Sequence, residues 1–208
     1  MIKQISLAHG WYYHYRIHSD KTNKLCNNGF SELNSYLNDI MDDCPDEHFI
    51  NGPRSSALRF SLPIKLDVHE NHEVSRLCEE GLKTMDNYKT AHSKVQMFML
   101  HFDKSSISVE APIWINDSEL TNFENIFKEK GALSGHIDVI RVEDDGKIWI
   151  WDYKPKAEKE KYASTQVFFY ALMTSQRTGI PLEKFMCGYF DENIAYTFKP
   201  KLDVLENF

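Results

Sequence analysis

Asp138, Asp152 and Lys154 are the residues of this chain best suited to doing chemistry together. Carboxylate oxygens are hard ligands that suit Mg²⁺ or Mn²⁺. A cation held this way lowers the pKa of a bound water and neutralises charge building on phosphoryl oxygens. A lysine beside it would orient the water or stabilise the transition-state charge. Two carboxylates and a lysine at the ends of adjacent strands are what a metal ion needs to cut a phosphodiester bond.

The elements around them decide whether they meet. Residues 135–143 carry Ile137, Val139, Ile140 and Val142, and residues 147–153 carry Ile148, Trp149, Ile150 and Trp151. Both stretches read as strands, and Asp144-Asp145-Gly146 between them reads as a turn. A two-residue Asp-Gly turn would pair Asp138 with Tyr153 and send Asp152 to the other face. A three-residue loop instead pairs Glu143 with Lys147 and Asp138 with Asp152, and it wants Gly146 at its left-handed position. The three-residue loop is the reading adopted. It puts Asp138, Asp152, Lys154 and His136 on one face. The second strand is apolar at both alternating positions, so it should be buried on both sides. An Asp and a Lys ending such a strand are costly to bury unless paired or metal-bound. A structural ion pair would account for Asp152 and Lys154 alone. Asp138 opposite Asp152 adds like-charge repulsion, which a cation relieves.

A strand over 107–115 precedes the hairpin, with Glu110 flanked by Val109 and Ala111. A helix follows, beginning near 159–163 and ending at Thr178-Gly179 with Pro181 beyond. Gln166 and Tyr170 stack on one face of it. A plain core helix with Gln166 at its boundary is the competing reading. Lys184 to Tyr189 and Ile194 to Phe198 read as two further strands. Periodicity alone gives a mixed α/β fold.

Taken together, Gly135-x-x-Asp138, Asp152-x-Lys154 and Gln166-x-x-x-Tyr170 resemble the PD-(D/E)xK nuclease superfamily. The Gln-x-x-x-Tyr pair narrows the resemblance to the RecB-like branch, over residues 107–199. The resemblance implies an α/β, restriction-endonuclease-like core in α-β-β-β-α-β order, with a mixed central β-sheet flanked by helices. It implies a metal-dependent DNA nuclease using Mg²⁺ or Mn²⁺. Asp138 and Asp152 would be ligands, the Tyr153 carbonyl a third oxygen, and Glu110 a further acidic group near the metal. Lys154 would be catalytic, and Gln166 and Tyr170 would orient the catalytic groups and touch DNA. The family also carries a histidine ligand on the helix before the first strand, read here as Leu82 to Phe102. His92 is the first choice there, with His101, His69, His72 and His136 as rivals. Some RecB-like nucleases hold an iron–sulfur cluster, using three cysteines after the Gln-x-x-x-Tyr helix. Only Cys187 of Cys26, Cys44, Cys78 and Cys187 follows that helix, and no Cys-x₂-Cys pair exists, so no cluster is expected.

Lys156, Lys159 and Lys161, beside Lys154, form a local basic cluster that could guide a phosphate backbone; a solvated loop is the alternative. The net charge of −7 argues against tight duplex clamping. It favours a single strand, an end or a flap, and an exonuclease or single-strand-preferring enzyme. No P-loop motif is present, so a helicase or recombination partner would be a separate chain. No apolar run is long enough for a membrane span and no signal-peptide pattern opens the chain, so an intracellular, cytoplasmic protein is expected.

The 208 residues suit one domain: a mainly helical N-terminal elaboration over 1–65, then the nuclease core over 66–208. Residues 11–18 are aromatic and basic, and read as core-facing or as a base-stacking segment. His14 and His18 have metal-ligand spacing but no acidic partner nearby. A helix is expected over 32–42 with Ser31 as N-cap, and another over 69–82. Arg54 and Arg59 read as surface residues able to touch phosphate. Two rivals remain: a non-catalytic nucleic-acid-binding or assembly module on the same fold, and a structure-specific endonuclease such as a junction resolvase.

Overall fold

A computed structural model describes residues 1–206. In chain order the elements are β1 (Ile2–Ala8), β2 (Tyr12–His18), α1 (Ser19–Cys26), α2 (Ser31–Asp42), β3 (Asp67–Glu70), α3 (Glu73–Thr84) and α4 (Ala91–Phe102). Then come β4 (Ser106–Ile115), α5 (Phe123–Phe127), β5 (Leu133–Val142), β6 (Ile148–Tyr153), α6 (Ala163–Thr178), β7 (Phe185–Phe190) and β8 (Ile194–Phe198). The strands form one sheet in the order β1-β2-β4-β5-β6-β7-β8-β3. Among the strands of the described residues β6 and β7 alone pair in parallel, and α6 is the crossover that a parallel pair requires. This is a mixed sheet flanked by helices, the restriction-endonuclease-like α/β arrangement.

The β5–β6 hairpin closes through the three-residue loop. Gly146 is left-handed with φ 71°, its N–H donates to the Glu143 carbonyl, and Glu143 N–H donates to the Lys147 carbonyl. The register runs from Val142↔Ile148 to Val139↔Trp151. One step further, Asp138 does not pair with Asp152 through the backbone. Its carboxylate instead accepts the Tyr153 N–H at 2.8 Å.

The sheet separates two apolar layers. Ile140, Ile148 and Ile150 face α6 and α2, while Val139, Trp151 and Tyr153 face α3 and α4. Both sides of β5 and β6 are therefore covered, as their continuous apolar sequence requires. Gly188 of β7 makes room for the Trp151 ring, which a Cβ there would meet at 2.2 Å. Arg141 is fully buried and binds Asp103 at 2.8 Å and Glu73 at 2.7 Å. It thereby fastens the end of α4 and the start of α3 to β5. Removing one side of such a buried pair costs roughly 3–5 kcal/mol.

Several expectations are corrected. The N-terminal segment holds, besides α1 and α2, a β1–β2 hairpin the sequence reading missed, which joins the sheet through Arg16↔Val109 and Ile17↔Ser108. Residues 12–18 alternate, with Tyr15 and Ile17 fully buried and Tyr12 exposed, and a period of two makes a strand. The helix read over 82–102 starts only at Ala91, because α3 runs on to Thr84 and residues 85–90 are not helical. Thr90 accepts the Ser93 N–H and caps a fresh start at α4. Gly81 lets α3 and α4 fold closely together; a Cβ there would meet Phe98 Cβ at 2.9 Å. Residues 69 and 70 belong to β3, not to a helix. The N-cap of α2 is Phe30 rather than Ser31, whose hydroxyl donates to Glu32 instead. Among the described residues no helix is long and apolar enough to cross a membrane.

Candidate active site

A cleft of about 200 Å³ opens where β4, β5 and β6 meet α4 and α6. Asp138 reaches it from β5, Asp152 from β6, and Lys154 from just beyond β6. Glu110 comes from β4, His92 from α4, and Gln166 and Tyr170 from α6.

Glu110 sits there because its backbone is unusual. Its φ is +53°, which is strained for a residue with a side chain. Around it β4 changes face: Val109 lies in the layer under α4, while Ala111 and Ile113 lie in the other. Left-handed non-glycine residues cost about 1–3 kcal/mol and cluster at functional sites.

Three carboxylates then crowd one space. Burial, followed by the charge of Asp138, pushes Glu110 up to about 8. Burial, followed by the charge of Asp152, pushes Asp138 up to about 6. Lys154 Nζ lies 2.7 Å from Asp152 Oδ2. Burial opposes its charge, but Asp152 and Asp138 outweigh that and raise its pKa, so it stays an ammonium. His92 Nε2 stands 3.9 Å from Asp138 Oδ2.

The α6 pair is joined to the cluster. Gln166 Nε2 donates to Tyr170 Oη at 2.9 Å and reaches Asp152 Oδ1 at 3.3 Å. The role of Gly135 follows from the same contact. A Cβ on it would meet Tyr170 Cε1 at 2.5 Å and Oη at 3.0 Å. The glycine of Gly-x-x-Asp is thus the seat of the tyrosine of Gln-x-x-x-Tyr.

The other sequence candidates divide. Lys159 and Lys161 line an adjoining depression with Lys154, Arg59 and Gln166. Lys156 does not join them: it opens onto a separate depression among Glu158, Asp191 and Glu192. Tyr153 contributes its N–H to Asp138, and its ring stands edge-on to His92. His136 lines the cleft but is engaged by His9, 2.9 Å away, and burial holds its pKa well below the usual imidazole range. His69 bonds Thr197 and His72 caps α3, so neither reaches the cleft. His101, at the C-terminal end of α4, touches Phe102. His14 and His18 lie on β2, where His14 bonds Ser6 and His18 caps α1.

Three cleft residues were not singled out by the sequence, or were read as surface. Gln96, buried on α4, donates to Glu110 at 2.7 Å and Asp138 at 3.2 Å, so one amide bridges two carboxylates. Its position one turn after His92 was the available signal. Tyr13 stacks on His136 at 3.6 Å, and Arg54 lines the same wall without a carboxylate partner among the described residues.

The arrangement suits a hard divalent cation. Three oxygen-donor side chains converge, and burial, followed by carboxylate repulsion, favours the protonated forms of Glu110 and Asp138 when nothing else neutralises the charge. Asp152 Oδ2 faces the Lys154 ammonium at 2.7 Å and accepts from no other donor among the described residues. Oxygen donors of this kind fit Mg²⁺ or Mn²⁺.

No curated protein and no solved structure matches the chain. A family profile does: that of the PD-(D/E)XK nuclease superfamily, over residues 7–202. The match runs from the end of β1 past β8 and takes in every residue of the cleft, and this chain belongs to the PD-(D/E)XK nuclease superfamily.

Proposed function

We propose that this chain is a divalent-metal-dependent deoxyribonuclease of the RecB-like branch, acting on single strands, ends or flaps rather than intact duplex. The observation that carries the reading is the convergence of Glu110, Asp138, Asp152 and Lys154 in one cleft, with Gln166 and Tyr170 tied to it. Asp138 and Asp152 would hold Mg²⁺ or Mn²⁺, with Glu110, His92 and the Tyr153 carbonyl as further ligands. The ion supplies an activated water and neutralises charge on the phosphoryl oxygens when bound.

The chain's own residues do the rest. Lys154 presents a fixed positive charge beside Asp152 and stabilises the anionic transition state. Gln96 and the Tyr153 N–H hold Glu110 and Asp138 in place. Gln166 positions Asp152 and Tyr170. Arg54, Lys159 and Lys161 offer phosphate contacts on either side; Lys156, turned to its own acidic depression, is left out of this set.

Preference for a single strand is supported at the β1–β2 turn. Trp11 and Tyr12 are 76% and 74% exposed. They adjoin Tyr13 and Arg54 of the cleft, since the Arg54 guanidinium donates to the His9 carbonyl. Exposed aromatic rings beside a cation are what unpaired bases stack on. The net charge of −7 points the same way. The location would be intracellular, and a helicase or recombination partner would be a separate chain. The test is a panel of end-labelled single-stranded, duplex and flapped DNA, with single-stranded RNA as a further arm. The reading expects single-stranded or flapped DNA to be cut fastest. Equal cutting of continuous duplex, or cutting of four-way junctions by a dimer, would favour the structure-specific endonuclease.

A further inference from the structure

Outside the carboxylate cleft, three more side chains converge on a point. His9, just past β1, is wholly buried. Its ring stacks on Phe49 at 4.0 Å and 7°, and its Nδ1 lies 2.9 Å from His136 Nε2. Its carbonyl accepts from Arg54. The imidazole is therefore fixed before any ligand arrives. Its remaining nitrogen, Nε2, faces Asp46 Oδ1 at 2.9 Å and Cys44 Sγ at 4.0 Å. The three ligand atoms lie within 4.8 Å of one another.

A nucleophilic triad does not fit. In a thiol–imidazole–carboxylate relay the thiol and the carboxylate use opposite ring nitrogens. Here both approach the same one. A simple hydrogen bond from His9 to Asp46 fits those two residues and leaves the thiol without a role. Cys44 is also the one cysteine with partial solvent access; Cys26, Cys78 and Cys187 are buried.

We infer that His9, Cys44 and Asp46 form a second metal site, for Zn²⁺ or a similarly borderline-soft ion, separate from the carboxylate cleft. Sulfur, imidazole nitrogen and carboxylate oxygen are the ligands zinc takes, at bonds of about 2.0–2.3 Å. At tetrahedral angles such bonds set ligand atoms about 3.3–3.5 Å apart. The spacings of 2.9 and 4.0 Å bracket that value, and a small movement of the 44–46 loop closes the set. The fourth position falls to water on the side of Asp46, whose side chain is 60% exposed. The second nitrogen of a metal-binding histidine almost always donates to an outer partner, and His136 stands where that partner is needed. His136 also lines the cleft. An ion on His9 would thus fix the His9 tautomer and brace that wall of the active site.

The test uses the full chain, stripped with EDTA and loaded with Co²⁺ as a spectroscopic stand-in for zinc. A thiolate-to-cobalt charge-transfer band is expected, with the visible bands of a four-coordinate ion, and both should vanish when Zn²⁺ is added. Cys44→Ser should abolish the charge-transfer band, and Asp152→Ala should leave it unchanged. Asp46→Asn, a change at an exposed side chain, should weaken zinc binding by about tenfold or more, which keeps the test decisive should Cys44→Ser fail to fold. Absence of a thiolate band, its survival in folded Cys44→Ser, its loss in Asp152→Ala, or unchanged zinc affinity in Asp46→Asn would each overturn the site. Cleavage does not enter this readout, so its failure and that of the nuclease proposal are distinguishable.

Discussion

Replacing Glu110 by Gln removes one of the three carboxylates that crowd the cleft. The amide keeps the shape, and its oxygen can still accept from Gln96. In metal-free buffer the folded protein holds a proton on Glu110 up to about pH 8, while the unfolded chain releases it near the ordinary 4.5. The folded state thus binds more protons across that interval, and stability must fall as pH rises through it. The group's contribution is fully present below about 4.5 and lost by about 8. At about 1.4 kcal/mol per pH unit, the ceiling is roughly 5 kcal/mol. Glu110 opens to the cleft on one side, and solvent there reduces the figure, leaving about 2 kcal/mol. Chemical denaturation in EDTA at pH 5 and pH 8 would measure it. Glu110→Gln should match the wild type at pH 5 and exceed it by about 2 kcal/mol at pH 8. Saturating Mg²⁺ should erase the difference by stabilising the wild type. A variant less stable than the wild type at pH 8 would refute the crowding argument.

Gly135→Ala should displace Tyr170, lower stability by about 1–3 kcal/mol and slow cleavage, read by thermal melting and single-turnover kinetics. Gln96→Ala removes the amide that bridges Glu110 and Asp138, so Mg²⁺ affinity measured by calorimetry should drop about tenfold. Losing that donor also disfavours the ionised carboxylates, so the pH–rate profile should move upward. Trp11→Ala and Tyr12→Ala, in an Asp152→Ala background, should each weaken single-stranded DNA binding by about 1–3 kcal/mol in an anisotropy titration. Their thermal stability should be unchanged, because both rings are exposed.

What the sequence made legible is what local chemistry determines. Gly146 selected the hairpin loop, and the loop set the register that puts Asp138 and Asp152 together. Gly179, left-handed at φ 73°, ended α6 where it was expected. Gln166 and Tyr170 were linked by helical spacing alone. The N-terminal strands were hidden because His14, Arg16 and His18 interrupt the aromatic run, and the β1–β2 hairpin is anchored to the sheet by pairing β2 with distant β4. The start of α4 was placed too early because no Gly or Pro marks residues 85–90, while Thr90 opens the helix by a cap. Gln96 looked like any polar helix residue until β4 and β5 were brought against it. The positive φ of Glu110 and the His9–His136 contact are tertiary facts with no local signature.

The central claim is that the carboxylate cleft is a metal-dependent catalytic centre. The most direct test is cleavage of end-labelled single-stranded DNA by wild type, Asp152→Ala and Lys154→Ala, each with Mg²⁺, Mn²⁺ or EDTA. The account predicts products only from wild type and only with metal, with both variants folded and inactive. Cleavage that persists in EDTA or in either variant, or no cleavage at all with DNA binding unchanged by both substitutions, would contradict it.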